Sequence, residues 1–214
     1  SDAAAETRQT PLRLMLALGG IASPWRWHVD SFYTANFPHG RGFPAGLPEP
    51  PADTWEELPI ADVDAFSIDD STTTEVDDAA SIEHLEGGIT RVGIHIAAPA
   101  LMIQKDSPLD TVAKTRMSTV YAPGLKTMLP ENWIKASSLD EGHLVPCISL
   151  YVWVKDDTFA VERTETRLER IALKANLRYD KIDDLVTEEA IAADALTIPY
   201  AHEIAWLWHF AKRL

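Results

Sequence analysis

Five carboxylates, Asp69, Asp70, Glu75, Asp77 and Asp78, fall within ten consecutive residues, and no Lys or Arg stands among them. Side chains of this type at this density suit one chemistry above others. Their oxygens can hold a hard divalent cation, which in turn serves reactions at phosphate. Without a cation, like charges so close repel, and burying any one of them unpaired is costly. Apolar Ala65, Phe66 and Ile68 precede the acids, Val76 interrupts them and Ala79 follows, so the cluster is expected to lie against a core. The plainer alternative is a solvated acidic loop. A strand-loop-strand setting with small residues at Ser71, Thr72 and Thr73 argues against it. The spacing is not that of an EF-hand: counted from Asp69, the glycine position holds Thr74 and the terminal glutamate position holds Ala80.

The elements that must position these acids can be read from periodicity. Ala65 to Ile68 predicts a short strand leading into the loop. Ala80 to Leu85 and Ile89 to Ile96 predict two strands joined at Glu86-Gly87-Gly88, a hairpin signal. On the second of these, Val92, Ile94 and Ile96 share one face, and Arg91, Gly93 and His95 share the other. Ser107-Pro108 opens a helix through Met117, and a loop with Pro123, Gly124 and Pro130 follows. Two longer strands, Val145 to Lys155 and Phe159 to Ala172, turn at Asp156-Asp157, and the remainder reads as helical.

Upstream, residues 1–36 read as a small helical unit, with the end of a helix-turn-helix-like domain as one form of it. Pro11 to Leu18 is closed by Gly19-Gly20, and Ser23-Pro24 supplies an N-cap and a first-turn proline for a helix carrying Trp25, Trp27, Phe32 and Tyr33. Trp25 and Trp27 are expected to dock this unit, and the seven tryptophans are expected mainly in core or contact positions. Residues 37–57, with Pro38, Pro44, Pro48, Pro50 and Pro51, form a stiff linker, and residues 58–214 form the main domain.

The chain has 214 residues, 46% hydrophobic and 24% charged, which allows one substantial core with an appendage. No apolar run approaches the roughly 20 residues that span a bilayer, and the polar start is no signal peptide, so no membrane partner is expected. The single cysteine, Cys147, flanked by Val145, Pro146 and Ile148, reads as a buried thiol and points to a cytoplasmic setting. A net charge of −14 gives no basic footprint for nucleic acid. His95 reads as a structural, hydrogen-bonded histidine, because oxygen ligands suffice for a cation here.

The acidic stretch resembles the signature of the ribonuclease II/ribonuclease R (RNB) family of exoribonucleases, written roughly T-I-D-x(5)-D-x-D-D-A. Further segments follow in the family's order: R-V-G-I-H-I-A-A-P-A (91–100), L-D-T-V-A-K-T-R-M-S-T-V-Y-A-P (109–123), M-L-P-E (128–131), S-L-D-E-G (138–142) and L-R-Y-D-K-I (177–182). The resemblance implies a mixed α/β (α+β) fold, an RNB-type catalytic domain whose mixed sheet is flanked by helices. It implies hydrolytic 3′-to-5′ degradation of single-stranded RNA to nucleoside 5′-monophosphates with a divalent metal, Mg2+ or Mn2+.

By the same resemblance, Asp69 and Asp78 match direct metal ligands and Asp77 matches the aspartate closest to the chemical step. Glu75 occupies the remaining aspartate position, and Asp70 has no counterpart. Tyr121 matches an aromatic that stacks on a base, and Tyr179 one that clamps the terminal nucleotide. Arg116, Lys105 and Arg178 are candidate phosphate contacts. Three departures stand out: Glu75 for Asp, Ala98 where many relatives carry Asp, and no counterpart of the family's later catalytic half, with its assisting arginine. The amphipathic last helix stops within its own pattern, so the chain reads as part of a larger protein. The alternative function is a non-catalytic RNA-binding or scaffold protein of the same fold.

Overall fold

The computed structural model describes residues 10–38, 40–52, 55–121 and 124–214. The polar start, three linker positions (39, 53 and 54) and Pro123 of the expected loop lie outside the described residues. Two compact units emerge, one within Ser1–Pro48 together with Pro108–Leu129, the other formed by Glu49–Ser107 and Pro130–Leu214. Among the described residues, no helix is long and apolar enough to cross a membrane.

The second unit is a mixed sheet with helices. Strands β1 (Ala65–Asp69), β2 (Asp78–Leu85), β3 (Ile89–Ala97), β4 (Val145–Lys155), β5 (Val161–Ile171) and β6 (Ala175–Arg178) are ordered β5-β4-β3-β2-β1-β6. Neighbours are antiparallel except β1 and β6, which run parallel with Asp69 beside Arg178. The β2–β3 hairpin turns through Gly87 and Gly88, both at positive φ (80° and 73°), a conformation that glycine adopts without steric cost.

Registry lays one row straight across four strands, Asp78–Ile96–Ile148–Leu168, so these side chains share a face. Ile94 and Leu150 belong to the same face, and all five apolar residues of this patch remain exposed. Elsewhere on this face the C-terminal segment provides cover. Helix α6 (Ala201–Ala211) contributes Ile204 and Leu207 against Phe66 and Leu177, and Trp206 and Phe210 against Ile82, Val92 and Val154. Tyr200, at positive φ (60°) before that helix, stacks on Phe66 at 4.3 Å and donates its hydroxyl to Asp64 at 2.7 Å. These contacts hold a backbone state that a non-glycine residue otherwise avoids.

The opposite face holds a core of Ala65, Val76, Ala79, Leu139, Val145, Cys147, Ile171 and Leu173. Next to it runs a buried polar row. Both ring nitrogens of the fully buried His95 are hydrogen-bonded, Nε2 with Ser81 Oγ (2.9 Å) and Nδ1 with Ser149 Oγ (2.8 Å). Tyr151 donates to Glu169 at 2.7 Å, and both are buried. Gly93 makes room for this network, since a Cβ there would stand 2.3 Å from Ser81 Oγ and 2.7 Å from His95 Nε2. The polar face of β3 is thus the more buried one, while Ile94 and Ile96 face outward. Cys147 is a buried thiol as expected, its pKa pushed up to about 11 chiefly by burial.

Several sequence expectations need correction. Residues after 172 are not all helical, because Ala175–Arg178 pairs with β1 as β6. A four-residue strand has almost no period of its own, and only its distant partner makes it one. Helix α4 (Glu131–Ser137) occupies part of what reads as loop, starting after Pro130 and burying Trp133 and Ile134. The expected strand at Ala80 starts earlier, at Asp78. Of the tryptophans, Trp133 is buried, whereas Trp25 and Trp27 are exposed and form no core.

The first unit contains helices α1 (Thr10–Ala17), α2 (Pro24–Asn36) and α3 (Pro108–Arg116). Gly20 N–H bonds the Met15 carbonyl at 2.8 Å as α1 ends, and Ser23 Oγ caps α2 by accepting from Arg26 N–H at 3.1 Å. Both terminators behave as their residue types predict.

Candidate functional site

The acidic loop joins β1 to β2, antiparallel neighbours whose ends meet where Asp69 leaves one strand and Asp78 enters the other. Its middle is anchored from below. Val76 is buried, its N–H bonds Ser138 Oγ at 3.0 Å, and its carbonyl accepts from Leu139 N–H at 2.9 Å. Asp77 is pinned through its backbone, its carbonyl accepting from Ala97 N–H at 2.8 Å. The apolar residue within the acidic run thus fixes the acids that flank it.

Electrostatics separate the acids. Burial pushes the Asp69 pKa up, the nearby Asp78 charge adds to this, and Ser67 and Arg178 oppose it. Asp77 is also raised, first by the protein mass around it and then by Asp78 and Asp69. Although the Asp77 side chain reaches solvent, that contact does not offset the crowding of like charge. Asp70 behaves oppositely. Its Oδ1 accepts from Thr72 N–H (2.8 Å) and Thr72 Oγ1 (2.6 Å), which lowers its pKa and builds a local turn.

Among the described residues, no three His, Cys, Asp or Glu side chains form a ready-made cage for a metal ion. The donor chemistry still fits a hard cation. Asp69, Asp77 and Asp78 repel one another, with Arg178 opposing this only at Asp69, and the buried Asp69 Oδ2 makes no hydrogen bond. Crowded carboxylate oxygens, one of them orphaned, suit a hard cation such as Mg2+, which keeps several of its own waters and needs few protein ligands. Glu75 lies in the same loop, half-buried and engaged in interactions of its own.

Tyr179 belongs to the same unit as the acids, directly after β6 at the start of the one-turn helix α5 (Tyr179–Ile182), with its side chain exposed. Tyr121 and Arg116 belong to the first unit. Tyr121 is 82% exposed. Arg116 donates to the carbonyls of Thr127 (2.8 Å) and Gly42 (2.7 Å), and its guanidinium stacks on Phe43 at 3.7 Å. Its donors therefore already serve the folding of that unit.

Sequence reasoning missed the residues that brace the loop. Arg178 Nη1 donates to the Asp70 carbonyl at 2.9 Å, and Ser71 Oγ donates to Asp180. Asp70 followed two residues later by Thr72 is a legible turn signal. The braces from 178 and 180 have no local signal, because they arise from strand pairing more than a hundred residues away in the chain.

Comparison with known proteins shows the family and the fold. Residues 59–214 match the RNB domain family. Exoribonuclease 2 of Aeromonas hydrophila is 35% identical over 146 residues, covering 66% of this chain and 22% of the relative. Among solved structures, yeast Ssd1, described as a pseudonuclease, aligns with a TM-score of 0.66 at 21% identity, covering 78% of this chain and 22% of that one. Mycoplasma genitalium RNase R in complex with ribose-methylated single-stranded RNA aligns with a TM-score of 0.55 at 21% identity, covering 59% and 20%. At such identity the structures show a shared fold. The chain spans about a fifth of the length of these relatives.

Proposed function

This chain belongs to the RNB domain family, and on that premise we propose that it carries the metal-binding part of a hydrolytic 3′-to-5′ exoribonuclease acting on single-stranded RNA. The products of this reading are nucleoside 5′-monophosphates. The observation that carries it is the mutually repelling group Asp69, Asp77 and Asp78, with Asp69 Oδ2 buried and without a hydrogen bond.

Asp69 and Asp78, at the meeting ends of β1 and β2, would hold the ion, with Glu75 assisting from the loop, through a water if its longer side chain requires one. A bound Mg2+ or Mn2+ supplies Lewis-acid polarisation at phosphate and a lowered pKa for water. Asp77, held by its backbone bond to Ala97, would accept a hydrogen bond from the attacking water and orient it. The exposed rings of Tyr179 and Tyr121 offer π faces that accept any base, each stack contributing roughly 1–3 kcal/mol. Arg116 would meet a phosphate only with the N–H groups left over from its bonds to the carbonyls of Thr127, Arg41 and Gly42.

A second reading, an RNA-binding scaffold of the same fold without turnover, is favoured by Glu75 in place of aspartate and by the absence of a ready-made three-acid cage among the described residues. Incubation with 3′-labelled single-stranded RNA separates the two. The nuclease reading expects nucleotide release with Mg2+ and none with a chelator. RNA binding without release from the longest form of the protein would favour the scaffold.

A further inference from the structure

The two residues flanking Tyr179 both grip the acidic loop just beyond Asp69. Arg178 closes β6 in register with Asp69 on the parallel β1, and its Nη1 donates to the Asp70 carbonyl at 2.9 Å. Asp180, in the first turn of α5, accepts from Ser71 Oγ. Between these contacts, Asp70 closes its own turn, accepting at its carbonyl from Thr73 N–H (3.0 Å) and at Oδ1 from Thr72. Tyr179 itself projects outward, 52% exposed.

We propose that Arg178 and Asp180 are positioning residues that latch the Asp70–Thr73 turn to the base of Tyr179, so that the Asp69 carboxylate and the Tyr179 ring move as one body. A loop of this kind, carrying several small residues and few apolar ones, would otherwise open locally at low cost. Two side-chain tethers from either side of Tyr179 restrain it in both translation and twist. A ring stacked on a nucleotide and a carboxylate next to its phosphate must hold their separation closely, since small misplacements at a reacting phosphate cost rate heavily. The proposed use of the latch rests on the reading of Asp69 as a metal ligand, but the latch is a property of the protein without metal or RNA.

Amide hydrogen exchange on the 214-residue chain tests it. The reporters are Thr72 and Thr73 in the turn and Asp183, whose N–H bonds the Tyr179 carbonyl at 2.8 Å. Ser71→Ala is expected to speed exchange at Asp183, and Asp180→Ala at Thr72 and Thr73, each by about three- to tenfold, the loss of one surface hydrogen bond. The melting temperature should hold, and Asp180→Asn should restore protection because its amide oxygen still accepts from Ser71. Faster exchange confined to the mutated segment in each variant would overturn the proposal. Adding Mg2+ distinguishes the two readings. Protection is expected to spread from the loop to Asp183 in the parent and to stay in the loop in Ser71→Ala. If the metal reading is wrong, Mg2+ protects neither segment in the parent, while the metal-free comparison still decides the latch.

Discussion

The backbone N–H of Ala97 bonds the carbonyl of Asp77 at 2.8 Å, one step before the β2–β3 ladder begins with Asp78 opposite Ile96. Asp77 is therefore fixed by its main chain while its side chain is free to act. Asp78 is fixed by the pleat and stands at the end of the exposed apolar row through Ile96, Ile148 and Leu168. Adjacent acids in the sequence are held by different devices and can be altered separately.

Asp77→Asn keeps the shape and the Ala97 bond and removes only the charge. Nucleotide release from labelled RNA in Mg2+ should disappear, while RNA affinity, read by fluorescence anisotropy, stays within about twofold. Because burial and two neighbouring acids already disfavour ionised Asp77, the variant should melt no lower than the parent without metal. A clear drop in melting temperature would show that the carboxylate supports the fold instead.

His95 should make stability depend on pH. Its pKa is lowered to about 4 by burial, with Arg91 adding and Glu169 opposing, and Ser81, Ser149 and Tyr151 are its other neighbours. An unfolded chain takes up the proton first, near pH ~6.5. Stability present above that pH is therefore lost as pH falls toward about 4, by on the order of 3 kcal/mol. Urea unfolding across this range should show the slope in the parent and a flatter one in His95→Gln. An equal slope in both would assign the effect to other groups.

Gly93→Ala should destabilise by about 1–3 kcal/mol, the usual range for overpacking. The new methyl would press on Ser81 Oγ and on a His95 ring locked at both nitrogens, so neither neighbour can swing aside cheaply. Denaturant midpoints measure this. A neutral result would mean that the β2–β3 pair separates more easily than its full ladder suggests.

Tyr121→Ala and Tyr179→Ala should act on substrate handling and leave stability unchanged, since both side chains are exposed. Loss of Tyr121 is expected to change the length of the final undigested oligomer, resolved on a sequencing gel. Loss of Tyr179 should lower turnover more than RNA affinity. Unchanged product lengths together with unchanged rates would remove both residues from the RNA path.

Much of the site was legible locally. The acids are contiguous, and strands with strong alternation or a Gly-Gly turn, such as β2 and β3, announce themselves. The caps at Ser23-Pro24 and Gly19-Gly20 do so too, because a cap's chemistry lies within one helical turn of its signal. Burial was less legible. Alternation along β3 separates two faces but does not say which one the rest of the chain covers, and it is the His95 face that is buried while Ile94 and Ile96 stay exposed.

What the residues by themselves determined was a dense run of carboxylate oxygens and the family, its motifs in order along the chain. Only the tertiary structure decided how the acids differ. It raised Asp69 and Asp77 by surrounding them with protein and like charge, and made Asp70, which has no family counterpart, the keystone of a turn. It also joined Ser71 to Asp180 across more than a hundred residues. The physical reason is that carboxylate type and spacing are properties of a segment, whereas desolvation, Coulomb coupling and strand register depend on atoms that only the folded chain brings near.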